Sequence, residues 1–151
     1  MKSCFFIGHS NAGSDVKPLL AEAVERYIVE YGVTDFFVGH YGNFDSMASQ
    51  VVKEAKQKHP NICLTLVLPY HPAIQPIEIP TGFDGTYYPE GMETVPRRFA
   101  IVRANKCMVD NVDWLIAYVR HGASNSRKIL EYAQRQGLHC ININNLMEGT
   151  Q

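Results

Sequence analysis

The sequence lacks clustered cysteines, long apolar runs and a strong excess of charge of either sign. Its four cysteines, Cys4, Cys63, Cys107 and Cys140, are widely separated and include no CxxC pair. That spacing is not typical of a structural zinc site or a disulfide framework, so we expect reduced thiols that act as small buried hydrophobes. No apolar run approaches the roughly 20 residues of a membrane-spanning helix, and the first residues do not form a signal-peptide core. These absences predict a small cytoplasmic protein with no membrane partner.

The charge balance is nearly neutral, and this bears on possible partners. Fourteen Lys and Arg residues stand against fifteen Asp and Glu residues, which gives a formal net charge of −1. Because a domain that binds duplex nucleic acid usually has a basic excess, nucleic acid is not an expected partner. The length of 151 residues and a hydrophobic content of 46% predict one domain over residues 1–151 with a single core. A small parallel-sheet protein often presents an apolar edge or helix, and we therefore expect a homo-oligomer.

The motifs of several common enzyme classes are also missing. Without GxGxxG and its downstream acid, a conventional dinucleotide dehydrogenase is not expected. The chain has no GxxxxGK[ST] either, which argues against a P-loop NTPase. Ser10, His9 and Asp45 would supply the residue types of a hydrolase triad, but the GxSxG turn that exposes such a serine is absent.

What the sequence does contain is an alternation of short apolar runs and longer amphipathic segments. The apolar runs predict strands over residues 4–7, 35–39, 62–68, 114–119 and 140–143. The spacing i, i+3, i+4, i+7 predicts helices over residues 16–31, 44–58 and 97–109, and a fourth that starts at Ser124 or Asn125 and ends before Gly137. Asp15 is a candidate N-cap of the first helix, and Gly32 suits the left-handed position after it. The pattern predicts a Rossmann-like three-layer α/β/α sandwich with about five parallel strands in the order 3-2-1-4-5.

The segment from residue 69 to residue 96 differs from the rest of the chain. It contains most of the prolines, lacks helical periodicity and has short extended pieces around residues 77–79 and 86–88. A loop of this length within a compact domain often covers a ligand. In that interpretation it sets ligand specificity, and Tyr87 and Tyr88 could stack on a base. The alternative is a proline-stiffened structural crossover in which both tyrosines pack in the core or on the surface.

The candidate ligand site follows from where these strands end. In open α/β sheets, ligands bind beyond the carboxyl ends of the strands, and helix N-termini there attract phosphate. Residues 122–126 are the best candidate turn, and residues 39–45 are the next. The candidate ligand- and phosphate-binding residues are Gly8, His9, Ser10, Gly39, His40, Gly42, Asn43, Asp45, Arg103, Asn105, His121, Gly122, Ala123, Ser124, Asn125 and Ser126.

Several of these residues have a structural alternative. Asp45 either complements the dipole of its helix or accepts hydrogen bonds from ribose hydroxyls. Arg103 and Asn105 are either solvated or phosphate partners. Four histidines, at positions 9, 40, 71 and 121, follow strands, but their spacing does not require them to converge, so no metal is expected and hydrogen bonding is favoured. No catalytic residue is assigned, and the cofactor is unknown beyond a suspected nucleotide-derived ligand.

Four segments, in chain order, resemble the SLOG superfamily, and more specifically its small bacterial and phage-borne members of unknown function. Residues 4–9 resemble the start that reads TGHR in that family, and residues 39–48 are similar to its glycine-rich segment ending in GxDxxA. Residues 104–117 look like its RNxxMVDxSDxLIA motif, which is the most specific match. Residues 121–126, followed by Tyr132 and Ala133, resemble its phosphate turn.

The resemblance implies a Rossmann-like domain that binds nucleotides or nucleotide derivatives. Its wider relatives include the lonely-guy phosphoribohydrolases, a DNA-processing protein and ligand sensors of bacterial conflict systems. It places Gly8, His9, Gly39, Gly42, Asp45, Asn105, Gly122 and Ser124 around the ligand. Ser10, Ala104 and Ala123 depart from the family motifs, and the turn at 121–128 lacks the glutamate that is catalytic in the lonely-guy enzymes. We therefore expect binding or sensing first, with a hydrolase of an N-glycosidic or phosphoribosyl bond and a nucleic-acid accessory protein as alternatives.

Overall fold

A computed structural model describes residues 2–149, and its centre is a parallel sheet. The strands lie in the order β4-β3-β2-β1-β5-β6, and every neighbouring pair is parallel. Their bounds are β1 Ser3–Gly8, β2 Asp35–Val38, β3 Cys63–Val67, β4 Gly85–Tyr87, β5 Trp114–Tyr118 and β6 His139–Asn142. The carboxyl ends of all these strands therefore meet at one edge of the sheet.

Helices cover both faces of the sheet. Their bounds are α1 Lys17–Tyr31, α2 Asn43–Lys58, α3 Ala100–Asn111, α4 Asn125–Arg135 and α5 Ile143–Met147. One core cluster joins α1, α2 and α5 to the sheet, and a second joins α3 and α4 to the opposite face. Short 3₁₀ helices at Ser14–Val16, Met92–Thr94 and Arg97–Phe99 lead into the longer elements.

Strand β1 shows why its sequence forms a central strand. Successive side chains of a strand point to opposite faces, so Cys4 and Phe6 enter the first cluster while Phe5 and Ile7 enter the second. All four are at most 8% exposed. A run without polar alternation is therefore the pattern that a strand covered on both faces requires.

The predicted Rossmann-like α/β fold is confirmed, and the structure adds detail at both ends of the sheet. The five predicted strands are present in the predicted order, each within a residue or two of its predicted bounds. The predicted count is one strand short, because the proline-rich segment supplies β4. Asp15 is not the N-cap of α1; it lies within the preceding 3₁₀ helix. Gly32 ends α1 at φ 70°, as predicted.

Strand β4 pairs with β3 through the backbone, and the Asp84 side chain just before it adds a further attachment. The Asp84 carboxylate accepts a hydrogen bond from the Leu64 backbone N–H at 2.7 Å and one from Lys56 Nζ at 2.7 Å. Lys56 first, and then the Leu64 N–H, lower the pKa of Asp84. Residues 85–87 of the proline-rich segment thus form an edge strand, whereas residues 77–79 are not a strand.

The remaining expectations concern cysteines, the membrane and assembly. All four cysteines are free thiols; Cys4 is buried, but Cys63 is exposed at the start of β3, which corrects the expectation that all are buried. Among residues 2–149, no helix has the length and apolar character needed to cross a membrane. The homo-oligomer stays a prediction.

Candidate ligand-binding site

A cavity of about 340 Å³ lies at the carboxyl end of β1, and the segments after β2 and β3, helix α3 and the start of α4 form its other walls. The helices that follow β1 and its neighbour β5 pack on opposite faces of the sheet, so the loops after these two strands diverge, as they do at the switch point of open α/β sheets. We call this space the central cavity. Its walls are formed by Phe5, Phe6, Ile7, Gly8, His9, Ser10, Gly39, Tyr41, Asp45, Val67, Pro69, Ile101, Val102, Ala104, Asn105, Ser124, Asn125 and Ser126.

Two glycines allow the loop after β1 to contact the start of α2. A Cβ on Gly8 would lie 2.4 Å from Cγ of Phe44, so only glycine leaves room for this buried ring at the strand end. Gly42 has φ +106°, and a Cβ there would lie 2.5 Å from Cα of Ser10. The Asn43 N–H also donates to the Ser10 carbonyl at 2.8 Å. These contacts fix one wall of the central cavity.

The N-terminus of α4 forms a second wall and carries backbone donors. Ser124 is its N-cap, and the Ser124 hydroxyl accepts a hydrogen bond from the Arg127 N–H at 3.1 Å. The first N–H groups of a helix have no partner within the helix. Among the described residues, those of Asn125 and Ser126 accordingly have no protein acceptor. Both residues line the cavity, so these two N–H groups form a candidate anion site.

Two arginines order the β5–α4 loop behind this wall. The Arg127 guanidinium donates to the Gly122 carbonyl at 2.8 Å and to the Arg120 carbonyl at 2.7 Å. Arg120 in turn donates from its side chain to Asn11 Oδ1 at 2.5 Å. Arg127 therefore holds the loop that leads into the N-terminus of α4.

The surroundings of His9 are positively charged at this end of the cavity. Its Nε2 accepts a hydrogen bond from the Arg120 N–H at 2.9 Å, which identifies the neutral ring with the proton on Nδ1. Burial first, and then the charges of Arg120 and Arg127, lower the pKa of His9. The same two positive charges favour an anion at this end of the cavity.

Asp45 is the ionisable acid of the cavity, and it lies in the first turn of α2. Its Oδ2 accepts a hydrogen bond from the Tyr41 N–H at 3.1 Å, and a Cβ on Gly39 would lie 2.9 Å from this oxygen. Burial raises the pKa of Asp45 to about 7, against the lowering effect of that hydrogen bond. Near neutral pH the carboxyl group is therefore partly protonated and able both to donate and to accept a hydrogen bond.

The structure brings about half of the predicted site residues to the central cavity. Nine line it: Gly8, His9, Ser10, Gly39, Asp45, Asn105, Ser124, Asn125 and Ser126. Gly42 and Asn43 shape the wall, and His40 lines a smaller neighbouring cavity of about 220 Å³. Arg103, Gly122 and Ala123 are exposed and outside the lining, as is His121, which lies 2.9 Å from a Glu148 oxygen.

Sequence reasoning missed the arginine contacts and most of the apolar wall. Arg120 and Arg127 flank the predicted 122–126 turn, so their charge next to a glycine turn was the available signal. Tyr41, Pro69, Ile101 and Val102 line the cavity without any motif that marks them. Among the described residues there is no group of three or more His, Cys, Asp or Glu side chains placed to hold a metal ion.

Taken together, the parallel sheet, its helical layers and the crevice at the switch point define a Rossmann-like α/β protein. The X-ray structure of DNA processing protein A (DprA) from Streptococcus pneumoniae is similar, with a TM-score of 0.66 and 13% sequence identity. The similarity covers 93% of this chain and 49% of that one, so the chain spans about half the length of DprA. At this identity the likeness shows the fold alone. No family model matches the sequence, and no curated protein matches it.

Proposed function

We propose that this protein binds a nucleotide or nucleotide derivative in the central cavity. The observation that carries the proposal is that segments after four strands, β1, β2, β3 and β5, line one ligand-sized space. Two of the lining residues, Asn125 and Ser126, have N–H groups without a protein acceptor among the described residues. Two arginine charges next to His9 add to the positive potential there. Phosphate would lie at the α4 N-terminus, and Asp45 would hydrogen-bond a sugar hydroxyl. The resemblance to the SLOG superfamily supports the same ligand class and also stays a proposal.

The backbone donors can be tested with a proline substitution. Proline is tolerated at the first position of a helix, where it removes an N–H that the helix does not use. Asn125 occupies this position in α4, and the preceding Ser124 has the extended backbone that proline requires before it, with φ −164° and ψ 166°. Asn125→Pro therefore removes one proposed phosphate donor and leaves the helix intact.

We expect AMP, NAD or ADP-ribose to raise the melting temperature of the wild-type protein and adenosine, which has no phosphate, to have a smaller effect. Titration calorimetry should show that Asn125→Pro weakens the binding of the phosphorylated ligand about tenfold or more, since hydrogen bonds to charged groups are the strong ones. Asn125→Ala is the matched control, because it removes the side chain and keeps the N–H. Equal affinities of the two variants, or no binding by any of these compounds, would contradict the proposal.

A second candidate function is hydrolysis of an N-glycosidic or phosphoribosyl bond, and Asp45 is the observation that favours it. A carboxyl group with a pKa of about 7 suits general acid–base catalysis near neutral pH. Free base released from AMP, NAD or ADP-ribose would show turnover, and Asp45→Asn should abolish it while binding persists. Ligand-induced stabilisation without free base would leave binding alone as the function.

A further inference from the structure

A smaller cavity, of about 220 Å³, lies beside the central cavity, and the two have Gly39 and Asp45 in common as wall residues. We call it the small cavity. Further parts of its wall come from α2 and from Pro80 and Phe83 of the proline-rich segment. The proposed function gives no role to this space.

The part of α2 that lines the small cavity is polar. Ser46, Ser49 and Lys53 lie at the spacing i, i+3, i+7, which puts them on one face of the helix. The Ser49 hydroxyl donates to the Ser46 carbonyl at 2.9 Å. Among the described residues the Ser46 hydroxyl has no hydrogen-bond partner, so it is free to donate to a ligand. His40 is on the same wall, and burial lowers its pKa, so its ring is neutral near pH 7 and keeps one N–H donor.

Lys53 is held in position by the proline-rich segment. Gly82, at φ +95°, approaches the aliphatic stem of Lys53 so closely that a Cβ there would lie 3.0 Å from Cδ and from Cε. Nζ of Lys53 lies 4.9 Å from the centre of the Phe83 ring. One turn further along α2, Lys56 donates to the Gly82 carbonyl and to Asp84, which fixes the segment that contacts Lys53. The Lys53 side chain is therefore half-buried, with its stem packed.

Among residues 2–149, the Lys53 ammonium has no counter-ion and no hydrogen bond, whereas Lys17, Arg26 and Lys56 pair with carboxylates at 3.4, 3.0 and 2.7 Å. Asp45 is the acid on the wall of the small cavity, but it lies beyond ion-pair distance of Lys53. Burial raises the pKa of Asp45 to about 7, so near neutral pH its carboxyl group is partly protonated and opposes an anion only in part. A packed lysine that is partly removed from water without a counter-ion indicates a negatively charged ligand.

We infer that the small cavity is a binding site for a phosphate group, with the Lys53 ammonium as its counter-ion and the Ser46 hydroxyl and the His40 ring N–H as further donors. The charge of Lys53 disfavours a cation, and an apolar group would remove water from the ammonium without replacing it. Several phosphate oxygens accept hydrogen bonds at once, which matches donors that come from both α2 and the loop after β2.

Two sources would supply the same phosphate chemistry. One is inorganic phosphate, and the other is a second phosphate on the nucleotide in the central cavity, since Gly39 and Asp45 belong to both walls. In the second case the inference rests on the proposed function and specifies its ligand as a nucleoside bisphosphate.

The first test locates inorganic phosphate on the protein. Titration of isotope-labelled protein at low salt, followed by amide NMR spectra, should shift the Ser46 and Ser49 signals in a saturable manner. The Asn125 and Ser126 signals report separately on the α4 N-terminus. Lys53→Met removes the charge and keeps an unbranched stem. It should weaken the binding observed at Ser46 and Ser49 about tenfold, since hydrogen bonds to charged groups are the strong ones.

Lys58→Met is the matched control. Lys58 belongs to the same helix and has no ion pair among the described residues, but it lines a groove between α1 and α2 rather than the small cavity. Both variants remove one positive charge, so a general effect of net charge would be the same in each. We expect Lys58→Met to leave phosphate affinity at Ser46 and Ser49 within about twofold of the wild type, because exposed charges are screened by water and salt.

The second test distinguishes the two sources of phosphate. Adenosine 5′-monophosphate and adenosine 3′,5′-bisphosphate are titrated calorimetrically against the wild type and both lysine variants. If the nucleotide supplies the phosphate, the bisphosphate should bind about tenfold or more tightly than the monophosphate, and Lys53→Met should remove this advantage without changing the monophosphate affinity. If inorganic phosphate is the ligand, both nucleotides should bind alike, and saturation with the monophosphate should leave the phosphate-induced shifts of Ser46 and Ser49 intact.

The possible outcomes separate this inference from the proposed function. If Lys53→Met and Lys58→Met have equal effects on phosphate and on the bisphosphate, the phosphate site in the small cavity is wrong, while a loss of monophosphate binding in Asn125→Pro still supports the central cavity. The site is also wrong if phosphate shifts neither Ser46 nor Ser49 and the bisphosphate has no advantage. If no nucleotide binds but phosphate shifts Ser46 and Ser49 in a manner that depends on Lys53, the proposed function fails and the small-cavity site stands.

Discussion

At the scale of single residues, Asp45 is the carboxyl group whose pKa is raised by burial. It lines the central cavity and the smaller cavity beside it, and among residues 2–149 no Lys, Arg or His lies within ion-pair distance of its carboxyl group. Desolvation without a counter-ion disfavours the carboxylate, which is why the pKa rises to about 7 from an ordinary value of 3.8. A perturbed acid on a cavity wall fits the proposed role of Asp45 in ligand binding.

We predict that Asp45→Asn stabilises the protein increasingly as the pH rises. Between pH 3.8 and about 7 the folded state retains a proton that the unfolded state has released, so the wild-type free energy of unfolding falls as pH increases through this window. Asparagine cannot ionise and still accepts the Tyr41 N–H. The melting temperature of the variant minus that of the wild type should therefore become more positive from about pH 4 to about pH 8.

Thermal unfolding followed by circular dichroism across this pH range measures the difference. Glu78→Gln is the control, because Glu78 is exposed and its variant reports the loss of one negative charge at the surface. If the melting temperature of Asp45→Asn minus that of the wild type stays constant with pH, or becomes more negative, then the pKa of Asp45 is not raised in the folded protein.

At the scale of elements, the junctions after β1 and β2 depend on each other. Gly42 precedes α2, and its Cα faces the backbone of Ser10 at a distance that leaves no room for a Cβ. Gly122 has a similar positive φ of 100° in the β5–α4 loop, but a Cβ there would meet nothing within 4 Å. The two glycines thus share the backbone conformation and differ in the close approach of a second loop.

This difference gives a matched pair of variants. Both Gly42→Ala and Gly122→Ala introduce the strain of a positive φ, but only the first forces the β1 loop away from α2. In urea denaturation, Gly42→Ala should lower the free energy of unfolding by about 1–3 kcal/mol more than Gly122→Ala. If both variants lose the same free energy of unfolding, the loop after β1 moves away from Gly42 without cost. The contact between Ser10 and Gly42 would then not make this wall of the central cavity rigid.

The elements also show what could be predicted from the sequence. Strand β1 and helix α2 follow directly from local patterns, an unbroken apolar run and an i, i+3, i+4, i+7 face, because both are buried as those patterns require. Strand β4 was marked only as an extended piece, since its three residues lie at the sheet edge and are held by pairing with β3 and by Asp84, whose partners are 20 and 28 positions away. A contact at that separation leaves no local periodicity.

The candidate site was predictable to the extent that strand ends determine it. Gly8, Gly39 and Ser124 were recognisable because each follows a strand in a turn with small residues. Tyr41 was not, because its place on the cavity wall depends on tertiary packing that leaves no local sequence pattern. Arg103 illustrates the opposite error: it is two positions before Asn105 in α3, and the helical rotation leaves Arg103 exposed while Asn105 lines the cavity.

At the scale of the whole molecule, the net charge of −1 separates two kinds of ligand. A nucleic-acid strand is bound through many phosphate contacts, and its affinity falls steeply with salt because counterions are released. A single nucleotide held by two backbone N–H groups and one or two nearby charges has few such contacts. The structural likeness to DprA, over about half the length of that protein, concerns the fold and does not decide between these two cases.

We predict that nucleotide binding depends weakly on salt and that oligonucleotide binding is absent. Between roughly 50 and 200 mM salt, the affinity for the best mononucleotide should fall less than about tenfold, whereas a protein with 6–10 phosphate contacts loses about 10³–10⁵. Fluorescence anisotropy with a labelled single-stranded oligonucleotide should show no saturable binding at micromolar protein and roughly 150 mM salt. Titration of the same protein sample with the mononucleotide is the control, because it shows that the sample is able to bind its ligand. Saturable oligonucleotide binding that decreases steeply with salt would instead support the nucleic-acid accessory function. It would also mean that the basic residues form a local patch despite the net charge of −1.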